Sequence, residues 1–422
     1  MENLVISDSL NGHRTSCRSC GEPLEVSVCD LGSTPPTNSY LRSTAAFATE
    51  KSYPLHARVC ANCFLVQLDY DVAPEELFGD YAYFSSYSDS WLQHARDYAA
   101  MVTDRFGLTS DSLVVEMASN DGYLLRNFVD RKVPVLGIEP SSTVAEDAEK
   151  LGVPTWVEFF GEKCAEKVVS TLGKADLVIA NNVLAHVPDP VDFVKGIGTV
   201  LGPAGVVTIE FPHLLELIGR CEFDTIYHEH YSYYSLISVT RLLKSGGIEV
   251  FDVEQLPTHG GSLRVYGCLE GAHTPVESVA DMLKMEAAAG LDTIAAYTDF
   301  AQLVDNCRRT FLAFISDACA KGQKVVAYGA AAKGTTFLNF CGVSADDIAV
   351  VADRNPHKVG KWLPGCHIPI VSAEALREVK PDYVLVLPWN LADEIRQQLA
   401  DFVDSGSQLV TAIPTVQILG PR

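Results

Sequence analysis

With 422 residues, the chain is too long for one ordinary core, and its composition of 47% hydrophobic and 20% charged residues predicts two or three folded domains. Its net charge of −22 and the lack of a lysine and arginine cluster argue against nucleic acid or an anionic membrane surface as partner. Apolar runs stay below the roughly 18–20 residues that span a bilayer, and the first residues lack the basic-then-apolar order of a signal peptide. We therefore expect a cytoplasmic protein.

The first candidate site consists of two CxxC knuckles, Cys17-Arg-Ser-Cys20 and Cys60-Ala-Asn-Cys63. Together they can supply four thiolates to one tetrahedral ion, which is the ligand set of a closed structural zinc site. The alternatives are two unrelated pairs, or disulfides, which are disfavoured in a cytosolic chain. We predict a structural zinc ion with no catalytic task.

Beyond the knuckles, the sequence predicts an α/β domain. A predicted helix over Ser90–Phe106 is followed by short apolar, β-branched runs separated by helical segments. The predicted strands are Ser112–Met117, Val133–Ile138, Asp176–Ala180 and Gly205–Ile209. This alternation predicts a doubly wound parallel sheet, in which ligands bind beyond the carboxyl ends of the strands.

Polar residues lie at those strand ends and indicate a nucleotide-like cofactor. Glu139 closes the second strand, where an acidic side chain can accept both hydroxyls of a ribose, and this would serve either NAD or S-adenosylmethionine (SAM). The first loop, ASNDG, lacks the first two glycines of the GxGxxG fingerprint of NAD sites, whereas Glu116 before it suits a cationic amino-acid ligand. We therefore predict SAM, the alternative being an α/β turn without a ligand. The predicted cofactor residues are Glu116, Ala118, Asn120, Gly122, Glu139, Asn181 and Asn182.

The C-terminal part begins a second Rossmann-like pattern. Its predicted strands are Lys324–Tyr328, Ala349–Ala352 and Tyr383–Leu387. The turn GAAAKG after the first of them offers small residues, a helix N-terminus and Lys333, which suit a phosphate group. A GxGxxG motif is again absent, and a purely structural domain is the alternative.

The segment Ile226–Ser235, IYHEHYSYYS, holds two histidines, one glutamate and four tyrosines. By itself this density is compatible with a polar surface loop, a metal site or an acid–base centre. A metal site would need a third ligand, and none is evident nearby.

Taken in order, the motifs resemble those of the three-domain, zinc-containing sugar C-methyltransferases of deoxysugar biosynthesis. The resemblance covers nearly the whole chain and is carried by the two knuckles followed by EMASNDGYLL, GIEPS, ANNVLAHVPD, IEFPHLLELI, YHEHYSYYS, THGGSLRVY, YGAAAKGTTFLN and VLVLPWN. It implies a zinc module over residues 1–75, a Rossmann-like SAM-binding domain over 76–255 and a C-terminal Rossmann-like substrate-binding domain over 256–422. The implied substrate is a nucleotide-linked 4-keto-6-deoxysugar, with dTDP expected as the nucleotide, and we expect a monomer or a weak dimer.

The reaction implied is methylation of a carbon next to a ketone, at C3 or C5 of the sugar. That carbon becomes nucleophilic only after it loses a proton to a base whose pKa lies near neutral, which is the property of histidine. By resemblance, His230 is the base, Tyr227 donates to the enolate oxygen and Glu229 orients or tunes the histidine. His228 is expected to point away, because alternate side chains of an extended segment face opposite sides.

The sequence around the remaining candidate residues gives weaker evidence for their roles. His186 follows the third strand and is expected near the methyl donor, and Tyr81 is favoured over Tyr83 as a group that reaches over the site. The resemblance implies that the C-terminal domain helps to bind the nucleotide-sugar. The predicted substrate-binding residues are Gly329, Lys333, His259, Arg264, Trp389 and Asn390. Two alternatives stay open: a SAM-dependent methyltransferase of other specificity, and an NAD-dependent or non-catalytic nucleotide-sugar protein.

Overall fold

The computed structural model describes residues 12–78 and 89–420, so Tyr81 lies outside the described residues. Within these two ranges, no helix has the length and apolarity needed to cross a membrane.

The N-terminal part is a small antiparallel β module. Its elements are β1 (Gly12–His13), β2 (Val26–Thr34), β3 (Tyr53–Val59), β4 (Val66–Leu68), β5 (Tyr70–Asp71) and α1 (Pro74–Phe78). Every second residue of β3 is buried, as expected for a strand with one face on a core. The strands β2, β3 and β4 form one sheet, and β1 pairs with β5.

The central part is an α/β domain. Its strands are β6 (Val114–Met117), β7 (Val135–Ile138), β8 (Thr155–Trp156), β9 (Ala175–Ile179), β10 (Leu201–Pro212), β11 (Ser232–Tyr233), β12 (Ile248–Leu256) and β13 (Ser262–Leu269). Its helices are α2 (Asp89–Phe106), α3 (Arg126–Val129), α4 (Ser142–Lys150), α5 (Glu162–Leu172), α6 (Pro190–Val200), α7 (Leu214–Gly219) and α8 (Leu236–Leu243).

The central sheet has seven strands in the order β12-β13-β10-β9-β6-β7-β8. The predicted parallel sheet is confirmed for β8, β7, β6, β9 and β10. All residues of β6 and β7 are buried, because helices cover both faces of such a sheet. The chain leaves β6 toward β7 on one side and returns through β9 on the other, so the topological switch point lies between β6 and β9.

The hairpin β12–β13 crosses the predicted boundary between the central and C-terminal domains. The strand β13 pairs antiparallel with β10 from Ser262 to Cys268 and with β12 on its other side. The boundary predicted after residue 255 therefore falls inside this hairpin, and the central sheet extends to Leu269. Sequence periodicity did not indicate this, because it carries no information about which strand satisfies the free edge of β10.

The C-terminal part is a second α/β unit preceded by a long helix. Its helices are α9 (Glu277–Ala288), α10 (Ala295–Thr298), α11 (Phe300–Ala320), α12 (Ala332–Cys341), α13 (Leu376–Val379), α14 (Ala392–Gln398) and α15 (Ala400–Asp404). Its strands are β14 (Val325–Tyr328), β15 (Val351–Asp353), β16 (Ile370–Ser372), β17 (Tyr383–Val386), β18 (Gln408–Thr411) and β19 (Gln417–Leu419), in the sheet order β16-β15-β14-β17-β18-β19.

One hydrophobic core joins the three parts. The buried face of α11 repeats every three or four residues and includes Phe300, Phe311 and Ile315, the spacing of an amphipathic helix. These side chains belong to the same cluster as Leu31 of β2 and Phe223, which lies just before the YHEHYSYYS segment. Burial of each such side chain contributes about 1.5–3 kcal/mol, so the parts pack into one body around the candidate site.

Candidate active site

The YHEHYSYYS segment forms a tight turn that then enters the N-terminal sheet. The amide of His230 donates to the carbonyl of Tyr227 at 2.9 Å, which closes the turn. The strand β11 follows at once and pairs with β4 of the N-terminal module. His228 does face away from His230, as predicted, but a turn and not an extended strand directs it: its Nε2 donates to the carbonyl of Tyr53 at 3.2 Å.

His230 is fixed in the tautomer that a general base needs. Its Nδ1 lies 3.0 Å from the carbonyl oxygen of Thr225, and because a carbonyl can only accept, Nδ1 carries the proton. Nε2 is then the acceptor of the Tyr227 hydroxyl at 2.9 Å. Burial lowers the pKa of His230 well below its ordinary value, and the nearby His186 lowers it further. The imidazole is therefore neutral at pH 7, with its basic lone pair on Nε2.

His186 lies beside His230, and its pKa is also lowered. It ends the 3-10 helix Leu184–His186, which follows β9, and its Nδ1 donates to the carbonyl of Glu229 at 2.7 Å. The two imidazole rings are 4.7 Å apart between centroids, and burial lowers the pKa of His186 to about 4. Two neutral imidazoles can share this space because neither carries a charge that would repel the other.

The carboxylate of Glu229 does not orient His230, contrary to our prediction. It accepts hydrogen bonds from Thr37 Oγ1 at 3.3 Å and Asn38 Nδ2 at 3.0 Å, both in the N-terminal module, and burial raises its pKa. The turn sends the two neighbouring side chains in different directions. The carbonyl of Thr225 orients the histidine instead, and Glu229 ties the turn at Tyr227–His230 to the module.

The predicted cofactor edge contains buried polar atoms without hydrogen-bond partners in the described part of the chain. They are one carboxylate oxygen of Glu116, the hydroxyl of Ser119 and the amide oxygen of Asn181. Leaving such an atom unpaired costs about 1–3 kcal/mol. Burial raises the pKa of Glu116 well above its ordinary value, and Glu139 and Asp121 raise it further. A ligand with a positive charge and hydrogen-bond donors fits this edge.

The loop after β6 is held in a strained conformation by Glu139. Ala118, Asn120 and Gly122 all have positive φ, of 52°, 51° and 75°, which is uncommon for residues other than glycine. The two carboxylate oxygens of Glu139 accept the amides of Asn120 at 3.0 Å and of Ser141 at 2.9 Å. Asn182, after β9, also has positive φ, and its amide donates to the carbonyl of Glu210 at 2.6 Å. The predicted cofactor residues thus come together at one sheet edge.

Three of the predicted substrate residues meet between the central and C-terminal parts. The Nζ of Lys333 donates to the carbonyl of His259 at 3.0 Å and lies 4.8 Å from the centre of the Trp389 ring. The indole of Trp389 donates to Asp224 at 2.8 Å. Burial, together with the charge of Lys333, lowers the pKa of His259 to about 4. Since Asp224 precedes Thr225, the hydrogen bond between Trp389 and Asp224 lies next to the Thr225 carbonyl that orients His230.

Arg264, also predicted to bind substrate, belongs to a buried ion-pair network of the central sheet. Its guanidinium donates to Glu210 and to Glu254, both at 2.9 Å, and its side chain is 3% exposed. Burial opposes its charge, but Glu210 outweighs this and raises the pKa of Arg264. The arginine faces these carboxylates because β13 lies beside β10.

The GAAAKG turn differs from the phosphate-binding loop that we predicted. Gly329 has a φ of 91°, and a Cβ there would lie 2.4 Å from Pro388, so the position requires glycine for packing. The amide of Ala330 donates to Asp353 at 2.7 Å, while its carbonyl accepts from Tyr40 at 2.7 Å and Lys358 at 2.8 Å. The backbone groups of Ala330 therefore already have protein partners, and Lys333 faces the central domain.

A cavity of about 470 Å³ lies between the central and C-terminal parts. Polar side chains from both parts line it, including Glu216, Arg220, Gln255, Ser262, Trp389 and Asn390. Its volume falls in the range of small-molecule sites, and the predicted substrate residues Trp389 and Asn390 both line it.

The helix α12 of the C-terminal part contacts the segment that precedes the turn at Tyr227–His230. Thr336 donates to the carbonyl of Ile226 at 3.2 Å. The ring of Phe223 packs on Phe337 and Phe340, with centroids 6.0 and 5.3 Å away. The orientation of His230 therefore depends on all three parts of the chain.

The four knuckle cysteines converge as predicted. Their sulfur atoms all lie within 4.8 Å of one another, with Cys17 and Cys63 at 3.5 Å and Cys20 and Cys60 at 3.5 Å. A hydrogen bond from Cys63 lowers the pKa of Cys17 to about 5. Four converging thiols are the donor set of a structural zinc ion, and it leaves no open position for chemistry.

Sequence reasoning missed several residues of this site. Thr225 acts through its backbone carbonyl, so its side chain gives no signal. Thr37 and Asn38 lie far away in the chain. Glu222, whose pKa burial raises to about 7, and Asp224 could have been noticed as two acids inside an otherwise apolar stretch.

Comparison with known proteins identifies the family. Residues 17–78 match a zinc binding domain, 91–253 a methyltransferase domain and 257–414 a C-methyltransferase C-terminal domain. The chain is 35% identical over 404 residues to the C-methyltransferase NovU from Streptomyces niveus, covering 96% of each protein. The chain belongs to the C-methyltransferase family. The predicted family and fold class are thereby confirmed, as are the zinc-binding module and the methyltransferase domain.

Solved structures are more distant from this C-methyltransferase. Magnesium protoporphyrin IX methyltransferase from Synechocystis with bound SAM is 14% identical, with a TM-score of 0.33, over 42% of this chain and 79% of that one. The 1,6-didemethyltoxoflavin-N1-methyltransferase of Burkholderia thailandensis is 18% identical, with a TM-score of 0.35, over 48% and 93%. Nothing about substrate or site follows from similarities this low.

The C-methyltransferase should lose affinity for SAM when Glu139 is replaced by alanine. The change removes the predicted ribose acceptor and the anchor of the strained loop, and hydrogen bonds to a charged group are worth about 1.5–3 kcal/mol. We expect calorimetry to show a Kd for SAM raised by roughly 10- to 100-fold.

Asp176→Ala is the matched control for Glu139→Ala. Asp176 also accepts a backbone amide, that of Leu113 at 2.8 Å, but it does so at the opposite edge of the same sheet. Its SAM affinity should stay at the wild-type value. If Glu139→Ala and Asp176→Ala both bound SAM with wild-type affinity, the cofactor site would lie elsewhere.

Proposed function

We propose that this C-methyltransferase transfers a methyl group from SAM to the carbon next to the ketone of a nucleotide-linked 4-keto-6-deoxysugar, with dTDP as the expected nucleotide. The observation that carries the proposal is the His230 imidazole, which is neutral, buried and held with its basic Nε2 toward Tyr227. A neutral imidazole with its lone pair on Nε2 can accept a proton from a C–H group, a step that methyl transfer to a hydroxyl group does not include.

The chain's own groups account for the proton steps. Substrate binding replaces the contact between Tyr227 and His230, because the ketone oxygen becomes the new acceptor of the tyrosine hydroxyl. His230 Nε2 then removes the α-proton, and the electron pair of the C–H bond moves onto the ketone oxygen, where Tyr227 stabilises the enolate. His186, in contact with His230, completes a water-poor wall around the reacting carbon. When bound, SAM supplies the electrophilic methyl group.

The site between the domains supports a nucleotide-linked substrate. The cavity of about 470 Å³ lies next to Trp389, which connects through Asp224 to the segment that orients His230. Lys333 contributes a positive charge at this position in a chain whose net charge is −22. A diphosphate between nucleoside and sugar would meet that charge.

The regiochemistry of the product tests the proposal. The purified enzyme would be incubated with SAM and a panel of nucleotide-linked 4-keto-6-deoxysugars, and the products analysed by mass spectrometry and NMR. We expect a new carbon-bound methyl next to the ketone. A methyl on oxygen would establish an O-methyltransferase and refute the proposed mechanism.

Replacement of Lys333 by methionine should weaken binding of the nucleotide-sugar and leave binding of SAM unaffected. Loss of one charged hydrogen bond to a phosphate costs about 1.5–3 kcal/mol, which predicts a KM for the nucleotide-sugar raised roughly 10- to 100-fold. Steady-state kinetics and SAM calorimetry would measure the two effects separately.

Lys358→Met is the control for the lysine position. Lys358 donates to the same GAAAKG turn from its other side, at the Ala330 carbonyl. If Lys333 binds the diphosphate on the central-domain side, Lys358→Met should leave KM nearly unchanged. The opposite order of effects would move the phosphate site to the Lys358 side of the turn.

A further inference from the structure

Arg18 stands between the two cysteines of the first knuckle, yet its side chain is directed away from the sulfur atoms. That side chain is completely buried. Its backbone amide donates to the side chain of Gln67 at 2.9 Å, and Gln67 donates in turn to Cys17 at 3.2 Å. The position of Arg18 is thus fixed directly by the geometry of the knuckle.

The guanidinium of Arg18 connects the module to both histidine-bearing turns. It is paired with the carboxylate of Asp71 and donates to the carbonyl of Pro188 at 3.1 Å. It also lies over the ring of Tyr231, 5.1 Å from its centre. Pro188 is two residues after His186, and Tyr231 directly follows His230.

Tyr231 joins the same two turns to each other and to the module. Its amide donates to the carbonyl of Ala185 at 2.8 Å, and its hydroxyl donates to the carbonyl of Val72 at 2.6 Å. Arg18 therefore lies beneath the junction where the two turns meet. A buried guanidinium offers several donors in one rigid plane, so it can fix several groups at once.

We propose that Arg18 is a positioning residue for methyl transfer, which holds the turns of His186 and His230 in register through Pro188 and Tyr231. This inference rests on the proposed roles of these histidines. It gives the zinc module a task in catalysis, because the knuckle that binds the metal also fixes the arginine under the catalytic turns.

The test compares Arg18→Met with Arg14→Met in the full-length, zinc-loaded enzyme. Arg14 pairs with the same Asp71, at 2.9 Å, but its side chain is 29% exposed and its hydrogen bonds to Asp71 lie within the N-terminal module. Misplacement of a catalytic group by about 1 Å can cost 10²-fold in rate. We expect Arg18→Met to lower kcat by about 10- to 100-fold, with zinc content, SAM affinity and substrate KM close to wild type, and Arg14→Met to leave kcat unchanged.

Hydrogen–deuterium exchange gives a second readout that needs no substrate. In Arg18→Met, amides in residues 183–188 and 226–234 should exchange faster than in wild type, while those in Arg14→Met should not. Arg18→Lys keeps the charge beside Asp71 but lacks the planar fork, so we expect an intermediate kcat; it tests the same contacts if Arg18→Met does not fold.

Wild-type kcat and exchange in both Arg18 variants would overturn the inference. Equal losses in Arg14→Met would also overturn it, since the pairing with Asp71 would then matter and not the contact with the turns. If the wild-type enzyme methylates none of the sugars, the proposed function fails, but the exchange comparison still decides whether Arg18 positions the turns.

Discussion

Replacement of His230 by asparagine is expected to lower kcat by about 10²- to 10⁴-fold, the usual cost of losing a general base, while both ligands still bind. Asparagine can keep the hydrogen bond to the Thr225 carbonyl but has no basic nitrogen. Turnover measured with saturating SAM and nucleotide-sugar would give the effect, and calorimetry would verify binding. A variant with wild-type kcat would exclude His230 as the base.

The pH dependence gives an independent check on the same residue. Because burial places the pKa of His230 well below its ordinary value, the free base predominates through neutral pH. Protonation of this histidine should lower kcat/KM as the pH falls, and the midpoint of that decrease should therefore lie well below about pH 6.5. The decrease should be absent in His230→Asn. A fall centred at or above that pH and lost in the variant would show that His230 is not desolvated.

Proton abstraction can also be measured without methyl transfer. With a non-reactive SAM analogue bound in deuterated water, the wild-type enzyme should exchange the α-hydrogen of the substrate. His230→Asn should abolish this exchange. Tyr227→Phe should slow it, by on the order of 10²- to 10³-fold if the hydroxyl stabilises the enolate. Exchange at the wild-type rate in His230→Asn would transfer the role of base to His186.

Loss of a zinc ligand is expected to have the second large effect. The change Cys20→Ser should release the metal, for which we expect about one ion per chain, and structural zinc contributes roughly 10–16 kcal/mol to small metal-dependent folds. The module provides β4 as the partner of β11 and the groups that hold Glu229. Cys20→Ser should therefore lose activity together with the fold of the module.

Elemental analysis, thermal unfolding and turnover would measure these effects. Cys319→Ser is the matched control, because Cys20 and Cys319 are both exposed and only Cys20 belongs to the thiol cluster. It should keep its zinc, its unfolding temperature and its activity. A wild-type protein purified without chelator that contains no metal would contradict the zinc assignment.

Local features of the sequence were sufficient to predict the strands at the cofactor edge and the two knuckles. The strand predicted over Ser112–Met117 is observed as Val114–Met117. The prediction was possible because a short, continuous apolar and β-branched run is typical of a buried parallel strand. The knuckles were predicted because thiol pairs at this spacing have a specific metal chemistry. Glu116, Glu139 and Asn181 were found together because carboxyl ends of parallel strands share one edge.

The sequence also located the candidate catalytic segment, but not how the fold holds it. The density of ionisable side chains in IYHEHYSYYS is local and visible in a single chain. Its conformation is not, because the turn at Tyr227–His230 and the pairing of β11 with β4 depend on residues about 165 positions earlier, such as Gln67, the partner of Ser232.

Only the tertiary structure decided which distant groups meet around the candidate site. Thr37 and Glu229 are separated by 192 positions, and no periodicity or motif relates two residues at that distance. Thr225 orients the base through a backbone carbonyl, which every residue possesses, and Arg264 meets Glu210 because β13 pairs with β10. The sequence by itself determined the predicted strands of the two α/β units, the metal ligands and the candidate reactive side chains, because those depend on local composition and spacing. The orientation of the base, and its neutral state, came from packing three parts of the chain around one turn.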